Sequence, residues 1–442
     1  MALDLLVKQK AIEIGFDMVG IAPLAVWKDL DFARKWVEQG YGGEMHYLQN
    51  PKRHDPRQVL PSAQSVVCVG LIYNAPFPYS TEVSKHRVSA STYPTRQQPP
   101  ESEQGSQEAA ARGWISRYAW GQDYHEVLRT KLEGLRKSIE AISQEVETRV
   151  YVDTGPVVER AFARHSGIGW MGKNTCLINQ NKGSWFFLGV LLTNLPLDPD
   201  LPAPDHCGSC TRCLDACPTG ALVKPYVMDA SRCIAYFTIE LKGPIPEQHR
   251  PAIGANLFGC DICQDVCPWN RSQQSQGRNQ NSAARRLLSA SSPQPAEKGL
   301  GRAGAATTTL TVFQPIEINK ANSATSANTA SIPEESKVEQ VQSPDHRFSL
   351  FNPPIDALAK LSEEDFRRAF ARSPIKRAKY RGWLRNLAVA MGNSGDRRFI
   401  PKLAELSRYP GPVVREHAGW ALRQLAKTGA GARTSSGAHT SS

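Results

Sequence analysis

The chain has 442 residues, enough for two or three domains with their own cores, and a formal net charge of +11 that suits a polyanionic partner without naming one. Its hydrophobic fraction is 40%, but the longest apolar run, WFFLGVLL at 185–192, falls far short of the roughly 18 residues of a membrane span. Asp4, Lys8, Lys10 and Glu13 interrupt what would have to be an apolar targeting core, so a cytoplasmic protein without membrane contact is expected.

Taken in chain order, MALDLLVKQKAIEIGFD reads as an amphipathic helix and SVVCVGLIY (65–73) as a buried strand. From Ala75 to Arg112 the chain is dominated by Ser, Thr, Pro, Gln and Glu, too little apolar surface to offset ordering entropy, and a flexible insertion is expected. Val127, Leu128, Leu132 and Leu135 then give a helical stripe. TRVYVDTG (148–155) reads as a strand entering a turn, PVVERAFARHSGI as a helix opening at Pro156, and SWFFLGVLLTN as another strand. Residues 272–345, rich in Ser, Gln, Asn, Ala and Thr, are expected to form a disordered linker. Helical periodicity returns after Leu358 in two or three short helices broken at Gly392-Asn393 and Pro410-Gly411, and 428–442 reads as a frayed tail. Leu384, Leu387, Ala388 and Met391 make one apolar face there, while Arg377, Arg381 and Arg385 recur every four residues on another.

Eight of the ten cysteines fall within 207–267, and without a secretory signal such a cluster points to metal rather than disulfides. Cys68 and Cys176, among apolar neighbours, read as buried small residues. Structural zinc sites usually present two CxxC pairs separated by a longer loop. CGSCTRCLDACPTG (207–220) instead has the bacterial ferredoxin run, in which the fourth cysteine ligates the other cluster. CDICQDVCP (260–268) lacks one local ligand, and Cys233 is the spare nearby. Exchange of the terminal cysteines places one 4Fe-4S cluster on Cys207, Cys210, Cys213 and Cys267, and a second on Cys217, Cys233, Cys260 and Cys263. Such a pair passes single electrons from an external donor.

DTGPVVERAFARHSGIGWMGKNT (153–175), the ferredoxin run, FTIELKGPIP (237–246) and GCDICQDVCPWN (259–270) together closely resemble the epoxyqueuosine reductases, and SRYAWGQDYHEVL (116–128) and SPIKRAKYRGWLRN (373–386) fit the same family. The resemblance covers nearly everything outside the two insertions and the tail. It implies an α/β (α+β) cobalamin-binding catalytic domain over 1–200, a bacterial ferredoxin-like two-cluster module over 201–271, and an all-α HEAT-like repeat domain over 346–427 that binds tRNA. The implied reaction is reduction of epoxyqueuosine to queuosine at the wobble position of tRNA, the last step of queuosine biosynthesis, by a monomer using cobalamin and two 4Fe-4S clusters. A dehalogenase-like reductase of a small molecule is one alternative, but it has no use for a basic C-terminal repeat. A non-catalytic electron carrier is another, for which nearly 200 residues before the clusters are superfluous.

Removing an epoxide oxygen to leave an alkene takes two electrons and protons, and the oxygen needs a general acid as the ring opens. Asp153 is the candidate, since the family's proton donor falls on it; local sequence alone favours a cap for the helix at Pro156. Arg57, Trp120, Asp153, Arg160, Lys173 and Asn174 are assigned to the corrin, with surface ion pairs or a core aromatic as the plainer reading. GIGWMGKN lacks the GxxxxGK[ST] spacing of a nucleotide loop. Lys376, Arg377, Lys379, Arg381 and Arg385 are candidate contacts to tRNA phosphates, against a solvated helix face.

Overall fold

The computed structural model describes residues 2–25, 28–83, 110–142, 144–271, 306–318 and 348–431. These form two compact units, one from the described parts of 1–81, 124–230 and 261–311, the other from those of 82–123, 231–260 and 312–442. The units interleave along the chain rather than following the consecutive domains expected from sequence. Long-range pairing decides this: Trp114–Ile115 lies parallel to Asn256–Phe258, which puts 110–123 with the C-terminal helices.

The first unit is built on a four-stranded sheet of β1 (Met18–Pro23), β2 (Ser65–Ile72), β3 (Thr148–Tyr151) and β4 (Phe186–Thr193), in the spatial order β1-β2-β4-β3 with every neighbour antiparallel. All eight residues of β2 are buried, which explains its unbroken apolar run: both faces of the central strands are covered. The N-terminal helix α1 (Leu3–Glu13) buries Val7 and Ala11. Helix α2 (Tyr124–Glu140) buries Leu128, Leu132, Leu135 and Ile139, with Leu128 and Leu132 against β4 at Gly189. Helix α3 (Glu159–His165) contributes Ala161, Phe162 and Ala163 to a core that also holds Val66, Cys68, Val190 and Leu192. It opens three residues later than Pro156 suggested, because Arg53 takes the carbonyls of Gly155 and Val157 as acceptors and holds 155–157 as a loop.

Parts of both expected insertions are built into the fold. Ala75 is buried, Tyr79 stacks on Trp185 and donates to the Asn270 carbonyl at 2.5 Å, and Ser80 and Thr81 bond Asp265. In the second stretch, the Thr308 amide donates to Asn74 at 2.6 Å within the first unit. Within the second unit, the Gln122 amide donates to Val312 at 2.8 Å, Phe313 is buried, and Glu317–Ile318 pairs with Phe348–Ser349. TLTVFQPIEI (309–318), rich in β-branched and aromatic residues, was the local signal averaged away by its surroundings. The remainder of the expected insertions, 84–109, 272–305 and 319–345, and of the tail, 432–442, lies outside the described residues, as do 346–347 of the expected helical domain.

The second unit packs α4 (Lys379–Ser394), α5 (Ile400–Leu406) and α6 (Pro412–Gly431). Helix α4 does not break at Gly392-Asn393. A Cβ on Gly392 would come within 2.8 Å of Ala421, so this glycine serves close helix packing, and the αL cap is Gly395 at φ 71°. Phe366, Phe370 and Trp383 form an aromatic cluster beneath α4. Among the described residues no helix is long and apolar enough to cross a membrane.

Candidate active site and metal ligands

Asp153 sits just beyond β3 at φ 55°, a left-handed conformation that is costly for any residue except glycine and least so for Asn and Asp. It does not cap α3, whose N-terminus has no side-chain cap. Its Oδ2 instead accepts from the Tyr124 hydroxyl at 2.9 Å and faces His125 Nε2 at 3.2 Å, while 56% of its side chain stays exposed. Tyr124 and His125 open α2; the Tyr124 ring lies flat on Phe187 of β4, with centroids 4.3 Å apart and planes at 5°. The sequence reading placed these two residues in a family motif but gave neither a role. Their signal was a hydroxyl and an imidazole side by side at the start of an otherwise amphipathic helix.

Behind Asp153, a Cβ on Gly155 would stand 2.4 Å from the Tyr151 ring, so the turn has room only for glycine there. Glu159 is half-buried with its Oε1 enclosed and lacking any hydrogen-bond partner, as is His54 Nδ1 beside Arg53. Burial pushes the Glu159 carboxyl up to about 8; the Asp153 charge adds to this, and Arg53 and Arg160 oppose it. It is therefore mainly protonated at neutrality.

Of the cysteines, Cys207, Cys210, Cys213, Cys217, Cys263 and Cys267 belong to the first unit, and Cys233 and Cys260 to the second. All are free thiols. In the loops around them Gly208 and Gly220 take φ 48° and 59°, and the Ala221 amide donates to Cys217 Sγ at 3.3 Å, a kind of hydrogen bond that tunes cluster sulfurs. Burial pushes the Cys213 and Cys267 thiols up to about 11 and 12, values that suit sulfur meant to be ionised only on binding a cation. Among the described residues no three His, Cys, Asp or Glu converge on one point as a single zinc ion requires; in a cubane each sulfur binds a different iron. Trp170 and Trp269 pack edge to face at 5.0 Å beside Cys267. Cys176, read as an inert buried residue, is close enough to hydrogen-bond Cys263, a contact that holds its thiol below its ordinary range despite burial.

The residues assigned to the corrin separate. Arg57 is exposed, and Arg160 reaches the Thr175 carbonyl at 2.9 Å from the surface. Lys173 Nζ instead holds the Gly208 and Cys210 carbonyls at 2.5 and 3.1 Å, and Asn174 bonds the Cys263 carbonyl at 3.3 Å, so both brace cysteine loops. Trp120 is fully buried in the second unit with its indole N–H on the Ile115 carbonyl at 2.8 Å, which makes it a core aromatic with no face for a corrin.

The basic stripe of α4 separates too. Arg385 is 1% exposed; its guanidinium serves the carbonyls of Phe237, Leu241 and Gly243. Arg377 forms a bidentate pair with Glu240 at 2.5 and 3.0 Å, and Arg381 reaches the Lys242 carbonyl at 3.3 Å. A phosphate contact from Arg385 is excluded by this burial: its face of α4 grips the 237–243 segment instead of solvent. Lys376, Lys379 and Arg381 remain exposed, Lys376 paired with Asp123 at 2.8 Å.

Comparison with known proteins adds the family context. A family model for a 4Fe-4S double cluster binding domain matches residues 206–270, which contain all eight clustered cysteines, and one described as epoxyqueuosine reductase matches 53–154. The epoxyqueuosine reductase of Pseudomonas aeruginosa is 36% identical over 96% of this chain and 94% of its own length. A crystal structure of epoxyqueuosine reductase with an epoxyqueuosine-modified tRNA-Tyr stem loop superposes with a TM-score of 0.68 at 28% identity, covering 96% of this chain and 90% of that one. The Bacillus subtilis enzyme, in a structure whose catalytic aspartate loop is swung out of the active site, gives a TM-score of 0.69 at 27% identity, covering 96% and 90%.

Proposed function

Because the chain belongs to the epoxyqueuosine reductase family, we propose that it reduces epoxyqueuosine in tRNA to queuosine, with Asp153 giving its proton to the epoxide oxygen. The observation that carries this reading is the Asp153 carboxyl, exposed in a left-handed turn and steadied on one oxygen by Tyr124 and His125. The catalytic aspartate loop of the Bacillus subtilis relative supports the same residue type at the site.

Cobalamin fits the residues around this turn. The enclosed, unpartnered Glu159 Oε1 and His54 Nδ1 suit a ligand fringed with amides, and exposed Arg57 and Arg160 suit its charged periphery. Bound there, cobalamin supplies the two-electron chemistry that one-electron clusters cannot perform alone. The chain's own residues hold the acid in place, keep Glu159 neutral, and bring electrons through the cysteine-bound clusters from an external donor. Cys207, Cys210, Cys213 and Cys267 would hold one cluster and Cys217, Cys233, Cys260 and Cys263 the other. Exposed Lys376, Lys379 and Arg381 would attract tRNA phosphates, leaving recognition to the wobble base.

The test is an anaerobic assay of reconstituted protein on a tRNA stem loop carrying epoxyqueuosine. Asp153→Asn should lower queuosine formation by at least about 100-fold, with the fold retained because Asn tolerates the same φ. An undiminished rate rejects Asp153 as the acid. Iron near eight atoms per chain is expected on reconstitution; about four, or zinc, rejects the two-cluster reading.

A further inference from the structure

We propose that His125 is a positioning and proton-return residue, which reloads Asp153 so that one carboxyl delivers both protons the reaction consumes. The inference rests on the reading of Asp153 as the acid and extends it to a group outside that assignment.

The stoichiometry sets the requirement. Converting an epoxide to an alkene breaks two C–O bonds at one oxygen, takes two electrons from the external donor by way of the clusters, and releases water. Two O–H bonds must form, one as the ring opens and one as the resulting hydroxyl departs. A carboxyl carries one proton. Once Asp153 has protonated the epoxide oxygen it is a carboxylate, and it must be reprotonated within the same turnover while substrate lies against its exposed face.

The geometry points to His125 as the source. Its Nε2 faces Asp153 Oδ2 at 3.2 Å, so an imidazolium there returns a proton with no intervening group: the Nε2–H bond breaks, an O–H bond forms on Asp153, and neutral imidazole remains. His125 is the less exposed partner, at 24% against 56%. Its ring stacks on Tyr124 with centroids 4.1 Å apart, and Tyr124 in turn lies on Phe187 of the buried sheet, which helps fix the imidazole. Tyr124, a hydroxyl donor to the same Oδ2, orients the carboxyl; imidazole is the side chain whose ordinary protonation falls nearest neutrality.

The titratable and charged groups near this pair include Tyr124, Glu126 and Arg129 on α2 itself, Asp153 beyond β3, Glu159 on α3, and Arg53 and Arg160, which act on Glu159. Glu159 also lies near Asp153, but its Oε1 is enclosed and has no hydrogen bond to pass a proton along.

The experiment measures kcat and KM of the reconstituted enzyme on the epoxyqueuosine stem loop from pH 5.5 to 9. His125→Ala should keep KM, lose about 10- to 100-fold in kcat, and lose the decline in rate that deprotonation of an imidazole imposes on the alkaline side; added imidazole should restore part of the rate. Tyr124→Phe should lower kcat less and keep the wild-type pH profile. A wild-type kcat in His125→Ala, a loss that imidazole leaves untouched, or a pH profile unchanged in His125→Ala but displaced in Glu159→Gln overturns the proposal. Asp153→Asn separates the two layers: its full activity sinks the acid itself, whereas an inactive Asp153→Asn beside a fully active His125→Ala sinks only the return of the proton.

Discussion

The Asp153 turn and the Arg377–Arg385 face of α4 both present polar side chains that the family resemblance nominates for function, and the fold treats them oppositely. Asp153 projects from a strand end with most of its side chain in solvent, and Tyr124 and His125 meet its Oδ2. Arg385 is enclosed and spends its guanidinium on three carbonyls of its own unit. What separates them is whether another segment offers unsatisfied backbone acceptors, since a carbonyl withdrawn from water needs a donor wherever it lies.

The sharpest way to break that contrast is stability. Arg385→Ala strands the carbonyls of Phe237, Leu241 and Gly243 and should cost about 3 kcal/mol or more, read by urea denaturation, with Asp153→Asn unchanged in the same measurement. An Arg385→Ala protein as stable as wild type would return this residue to the candidate tRNA contacts.

A somewhat smaller effect is expected from His417, on α6 of the same unit. Its Nδ1–H donates to the Val413 carbonyl at 2.6 Å and its Nε2 accepts from the Ile245 amide at 3.1 Å, a pattern only neutral imidazole can make. Burial pushes its pKa down to about 4. The unfolded chain, with an ordinary imidazole, therefore binds more protons between about pH 6.5 and 4, so this contribution is complete above that window and is lost as pH falls through it. The loss is on the order of 3 kcal/mol, and His417→Gln should flatten the dependence in denaturation curves across the window.

The smallest effect sharpens the comparison from the exposed side. Lys379→Ala combined with Arg381→Ala should leave stability within about 0.5 kcal/mol, yet weaken stem-loop binding several-fold and reduce its salt slope by about one to two. Unchanged affinity and slope would make that surface a bystander.

Much of the first unit was legible because its signals are local. The apolar runs of β2 and β4, the Leu128-Leu132-Leu135 stripe and the strand before Asp153 follow from periodicity, and all appear where that periodicity places them. The eight clustered cysteines were equally plain, since iron-sulfur spacing is written in the chain. Trp120 was misjudged because its indole closes on the neighbouring Ile115 carbonyl inside a buried core, and Arg385 because its guanidinium found backbone carbonyls brought near by distant sequence. The 306–318 stretch failed for a related reason, because its stabilising partners, Asn74 and Gln122, lie far back in the chain.

The sequence by itself determined the chemistry available to this protein: eight clustered thiols at ferredoxin spacing, an aspartate at a strand end, and the motifs of a tRNA-modifying reductase family. Only the tertiary structure decided which side chains remain free for that chemistry, setting Tyr124 and His125 on Asp153 and withdrawing Arg385 into the second unit. The physical reason is that residue type and spacing act along the chain, whereas burial and hydrogen-bond partners come from segments that only folding brings together, 29 and 28 residues apart at Asp153 and more than 140 at Arg385.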